Sequence, residues 1–102
     1  MQKLPKEFWK IGFINKEQER EWDSAYSKLE AGYRWQVDSA LQFMLHYKQP
    51  WKKYENMKCD DCIEGLYLLD VSHHGIGKKV VHMMVHFNEE TNMITPVHCE
   101  IV

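Results

Sequence analysis

Long hydrophobic runs are absent from this 102-residue chain. The longest, such as Leu66-Tyr67-Leu68-Leu69, last only a few residues, so no segment is expected to cross a membrane. Proline and glycine are scarce, at three and five residues, which excludes collagen-like and low-complexity material. A dominant charge is lacking too. The 13 Lys+Arg against 15 Asp+Glu leave a formal net charge of −2, so no global field draws the chain to nucleic acid. Cysteine is limited to Cys59, Cys62 and Cys99. An odd count argues against a disulfide framework. Met1-Gln2-Lys3-Leu4-Pro5-Lys6 is not followed by an apolar stretch, so no signal peptide is expected and the expected location is the cytoplasm. What is present, 44% hydrophobic and 27% charged residues, suits one globular domain over residues 1–102.

Hydrophobic periodicity divides the chain in two. Ile11-Gly12-Phe13-Ile14 reads as a short first strand. Asn15 then precedes Gln18 by three residues, the spacing of a capping box. Trp22, Ala25, Tyr26 and Leu29 recur at i, i+3, i+4, i+7, one face of a helix expected to end near Gly32. Val37, Ala40, Leu41, Met44 and Leu45 repeat the pattern before Pro50 stops it. So short a break predicts an antiparallel helix pair.

Beyond Pro50 the period becomes two. Residues 52–61 read as a polar loop. The run Leu66–Val71 suits a strand covered on both faces or a central one. Residues 80–87 alternate, with Val81, Met83, Val85 and Phe87 on one face and His82, Met84 and His86 on the other. A last strand follows from Met93, and Pro96 marks it as an edge. The predicted fold is α+β: an N-terminal strand, an antiparallel helix pair, then a three-strand antiparallel meander with the helices packed on one sheet face.

Five of the six histidines lie in the second half, outside which only His46 falls. Closing the last hairpin with Phe87 facing Met93 sets His82 opposite His98, with His86 on the same face. Two imidazoles on an open face suit general acid–base chemistry, RNA phosphodiester cleavage in particular, and equally suit metal ligation. His73 and His74, in a turn with Gly75 and Gly77, are candidate ligand contacts. Cys59-Asp60-Asp61-Cys62 has the C-x-x-C spacing of zinc and redox sites. Its two aspartates disfavour thiolate, and hence the redox version. The zinc alternative would draw on Cys59 and Cys62 with His98 and Cys99, or with His73 and His74; otherwise no metal or cofactor is expected.

Several local motifs resemble one family. Phe13 closes a first strand ahead of a helix carrying Trp22 and Leu29. Gly65-Leu66-Tyr67-Leu68-Leu69-Asp70-Val71 is similar to a Gly-Leu-Tyr-Glu-Leu-Arg-Val strand, with Leu68 and Asp70 where that pattern has Glu and Arg. Lys79-Val80-Val81-His82 and Ile94 to His98 resemble its later strands. Together, from about residue 9 to residue 98, they resemble the RelE/ParE toxin superfamily, particularly its HigB-like, phage-related branch. The resemblance implies a toxin of a toxin–antitoxin pair, a ribosome-dependent mRNA endonuclease. By motif position it implies Lys79 as the cation that neutralises transition-state charge, His82 and His98 as the acid–base pair, and Lys78 as a phosphate contact. Partners would be a cognate antitoxin and ribosome-bound mRNA, with no membrane.

Charge patterning supports a competing reading. Residues 1–58 hold 11 Lys+Arg against 8 Asp+Glu, net +3, and residues 59–102 hold 2 against 7, net −5. An acidic second half suits a non-enzymatic phage or plasmid inhibitor that binds a basic host protein. Exposed tryptophans would serve either reading as interface anchors, with Trp35 and Trp51 the candidates because neither falls on a core stripe; the alternative is that they cap the small core of a short chain.

Overall fold

The computed structural model describes residues 9–53, 56–58, 65–73 and 78–102. A two-residue strand β1 (Lys10–Ile11) leads into helix α1 (Lys16–Ser27) and helix α2 (Ala31–Met44). A 3-10 turn (Pro50–Lys53) precedes strands β2 (Asn56–Lys58), β3 (Leu66–Asp70), β4 (Val81–Asn88) and β5 (Met93–Ile101). The described strands form one sheet in the order β1-β5-β4-β3-β2, with β1 parallel to β5 and every other pairing antiparallel. The α+β layout is therefore the expected one. The meander has four strands rather than three, because Asn56–Lys58, inside the stretch read as loop, pairs with Tyr67–Leu69.

Helix α1 starts where its cap requires. The Asn15 side chain accepts from the Gln18 N–H at 2.8 Å. Gln18 in turn accepts from the Ile14 N–H at 3.0 Å, one residue earlier than the usual reciprocal bond. The helix ends before Gly32. Lys28 N–H reaches back to Ala25 and Leu29 N–H to Tyr26, tightening the last turn, and Gly32 lies inside α2. The Tyr26 hydroxyl donates to Asp38 at 2.7 Å and ties the helices together.

Both helices cover one side of the sheet. Trp22, Ala25 and Leu29 of the α1 segment and Val37, Ala40, Leu41 and Met44 of α2 are buried against Leu69, Val71, Val81, Met83, Val85, Phe87, Ile94 and Cys99. Trp9, Trp51, Tyr67 and Phe87 close one end of this core, with Trp51 stacked on Tyr67 at 5.5 Å and Trp9 edge-on to Phe87 at 5.6 Å. Trp51 is thus half-buried against the edge of the core, and Trp35, half exposed, is the more open of the two. Strand β3 lies between β4 and β2, the central place its sequence also suits, and its cover is one-sided, with Leu69 buried and Leu66 and Leu68 half-buried. Pro96 lies just past the two residues that pair with β1, where β5 has no described strand on its outer side. Among the described residues, no helix is long and apolar enough to cross a membrane.

Candidate functional site

The sheet face opposite the helices carries the histidines. Its register differs from the expected one in an instructive way. The β4–β5 hairpin closes with Asn88 opposite Met93 and Phe87 opposite Ile94, one residue off the expected pairing. Continued regularly, that slip would turn His98 into the core. A β-bulge at Val97 instead places one extra residue in β5, so Val85 faces Pro96 while Met84 faces His98. His98 returns to the face of His82, and Cys99 to the core.

The resulting rows run across β3, β4 and β5. Asp70, His82 and Glu100 form one row, and Leu68, Met84 and His98 the next. His82 and His98 are therefore diagonal neighbours rather than directly opposed. Their backbones stand roughly 7–8 Å apart. His98 Nε2 lies 3.6 Å from the Glu100 carboxylate, both side chains more than half exposed to solvent, so solvent screens that pairing. His86 sits opposite Leu66 and Thr95, four residues and about 13 Å along the strand from His82. It shares the face without sharing the site.

Lys78, Lys79 and His73 lie at the His82 end, where β3 leaves the sheet and β4 begins, and all three are exposed. Asp70 shapes this rim. Its carboxylate accepts from the Ser72 hydroxyl at 2.6 Å and the Ser72 N–H at 3.0 Å, while the Ser72 oxygen accepts from the Val81 N–H at 2.9 Å. The first turns of α2 hold the rim from the other side. His73 N–H donates to the buried Gln36 side chain at 2.9 Å, and Lys79 N–H donates to the Tyr33 hydroxyl at 3.4 Å. Trp35 packs edge-on against His73 at 5.9 Å and leaves half its surface to solvent. Sequence patterning flags Trp35 as a surface aromatic but not its meeting with His73. That contact spans 38 positions along the chain and leaves no local signal.

His74, Cys59 and Cys62 lie outside the described residues. His98 and Cys99 occupy opposite sheet faces, the first exposed and the second buried, so the zinc alternative that used both is not assembled as drawn. Burial pushes the Cys99 thiol up to about 11, which keeps it protonated and a poor metal ligand. Among the described residues no group of three or more His, Cys, Asp and Glu side chains is arranged to hold a metal ion. The site thus combines two imidazoles on the sheet face opposite the helices with two lysines and an exposed indole at its rim. No protein-family model, curated protein or solved structure matches the chain.

Proposed function

We propose that the protein is a cytoplasmic toxin of a toxin–antitoxin pair, of RelE/ParE type, that cuts ribosome-bound mRNA. The observation that carries this reading is the common face of His82 and His98, uncovered by the helices, with Lys78 and Lys79 at its rim. One imidazole takes the proton of an RNA 2′-hydroxyl, whose oxygen attacks the adjacent phosphorus. The bond from phosphorus to the 5′ oxygen breaks, and the other imidazole, protonated, gives its proton to that leaving oxygen. A 2′,3′-cyclic phosphate and a 5′-hydroxyl end result. The Lys79 ammonium offsets the charge that develops on the phosphoryl oxygens, and Lys78 holds a neighbouring phosphate. Trp35 offers a base a stacking surface. A cognate antitoxin is the expected protein partner.

Induced expression of the wild-type chain should arrest growth, and mapping of message 5′ ends should find new cuts. His82→Ala, His98→Ala or Lys79→Ala should restore growth, since loss of one acid–base partner costs about 10²–10⁴ in rate. Normal growth with intact messages overturns the proposal. One observation favours the second reading, an acidic binding module for a basic host protein: Asp70 and Glu100 flank His82 on both neighbouring strands. Under that reading the His98→Ala chain binds its partner as the wild type does, while Asp70→Asn with Glu100→Gln does not.

A further inference from the structure

A cleft of about 440 Å³ opens at the opposite end of the sheet, beside the β4–β5 turn, lined by Trp51, Gly65, Tyr67, His86 and residues 87–90. We infer that it receives the guanidinium group of an arginine carried by a partner polypeptide. This inference is independent of the RNA-cleaving reading and uses none of its residues.

The wall of the cleft is aromatic. The Trp51 and Tyr67 rings lie 9° from parallel at 5.5 Å, and Phe87 backs them at 5.2 Å from Trp51. Both outer rings are half-buried, so each keeps part of its surface turned to solvent. Its rim is anionic, since Glu89 and Glu90 are exposed at the turn. An organic cation gains twice there, from the ring quadrupoles and from the carboxylates. A flat guanidinium fits flat rings and paired carboxylates better than a compact ammonium does.

The cleft is also built before any ligand arrives. The Asn88 side chain accepts from Glu90 N–H at 2.9 Å and from Thr91 N–H at 3.3 Å, and Asn92 completes the turn at φ 55°. On the other side, Gly65 accepts from Phe87 N–H at 2.9 Å at a φ of 88°. A Cβ at Gly65 would stand 2.5 Å from the Phe87 carbonyl oxygen, so only glycine lets the chain lie this close. Little ordering cost is left for binding.

The probe is a short peptide with two arginines separated by glycine, compared with the same peptide carrying citrulline, the uncharged isostere. Titration followed by amide and indole N–H resonances should give saturable shifts at Trp51, Gly65 and Glu90, with affinity on the order of 1 mM. The citrulline peptide should bind at least about tenfold more weakly, and so should the arginine peptide to Glu89→Gln with Glu90→Gln, whose exposed positions leave the core untouched. Glu17→Gln with Glu21→Gln, on exposed positions of α1, should stay within about twofold of wild type, which separates a site from general acidity. Absence of saturable shifts, equal binding of citrulline, shifts centred elsewhere, or an unchanged affinity in the Glu89/Glu90 variant would each overturn the inference.

Discussion

Burial of the Cys99 thiol makes it a stability probe. The side chain is 2% exposed, and desolvation raises it from 9.0 to about 11. The folded protein then holds the thiol proton more tightly than the unfolded chain. Its contribution is fully present below about pH 9 and is lost as pH rises toward 11, on the order of 2–3 kcal/mol in all. Tyr26 shifts in the same sense, mainly by desolvation and secondly through its bond to Asp38, so Tyr26→Phe serves as the background for the measurement. Thermal unfolding between pH 8 and 11 should show a steeper alkaline loss in Tyr26→Phe than in Tyr26→Phe with Cys99→Ala. Parallel profiles would show that the thiol does not contribute. At this scale the sequence was legible where a residue obeyed strand parity, as at Val81, Met83, Val85 and Phe87. It was illegible at Val97, because a bulge adds one residue without changing the residue types around it.

Elements differ in how much of their cause is local. Helix α1 was readable because its N-terminal signal, Asn15 with Gln18, is a contact between neighbours. Asn15→Ala should therefore cost about 1 kcal/mol in denaturant unfolding, with an unchanged slope. Asn15→Asp, which keeps an acceptor oxygen for the Gln18 N–H, should stay within a few tenths of a kcal/mol of wild type, and a loss equal to that of Asn15→Ala would argue that side-chain capping is not the source. The helix stop was misplaced because Gly32 carries no obligation to end a helix, and nothing lies within 4 Å of the position a Cβ would take there. Strand β2 was missed for a different reason. Asn56-Met57-Lys58 is too short for its polar-apolar-polar pattern to mark a strand, and it becomes one by pairing with the edge that β3 offers. Two-residue β1 is likewise made by β5, through Lys10 N–H to Asn92 and Gly12 N–H to Ile94. Short edge strands are properties of their neighbours, and a reading of local pattern passes over them.

Across the whole molecule, the net charge conceals a local exception at the site. Lys78 and Lys79 are the only Lys or Arg residues of an otherwise acidic second half. The structure sets Lys79 against the first turn of α2, where its N–H donates to the Tyr33 hydroxyl, and packs Trp35 beside His73. The two lysines are legible in the sequence, but the company of Tyr33 and Trp35 exists only once α2 folds over the β3–β4 end of the sheet. Such a rim makes a quantitative demand on RNA binding. Two cations on two phosphates of a single strand give a slope of about −1.4 for log affinity against log salt, at about −0.7 per phosphate. A 2′-O-methyl oligonucleotide, which lacks the attacking hydroxyl, allows binding to be measured without cleavage. Lys79→Gln should reduce the slope by about 0.7. Trp35→Ala should weaken binding by about 1–3 kcal/mol at every salt concentration while leaving the slope alone, because stacking releases no counterions. A slope near zero in the wild type would remove nucleic acid as the ligand of this rim. A Lys79→Gln slope equal to wild type would place the phosphates elsewhere on the molecule.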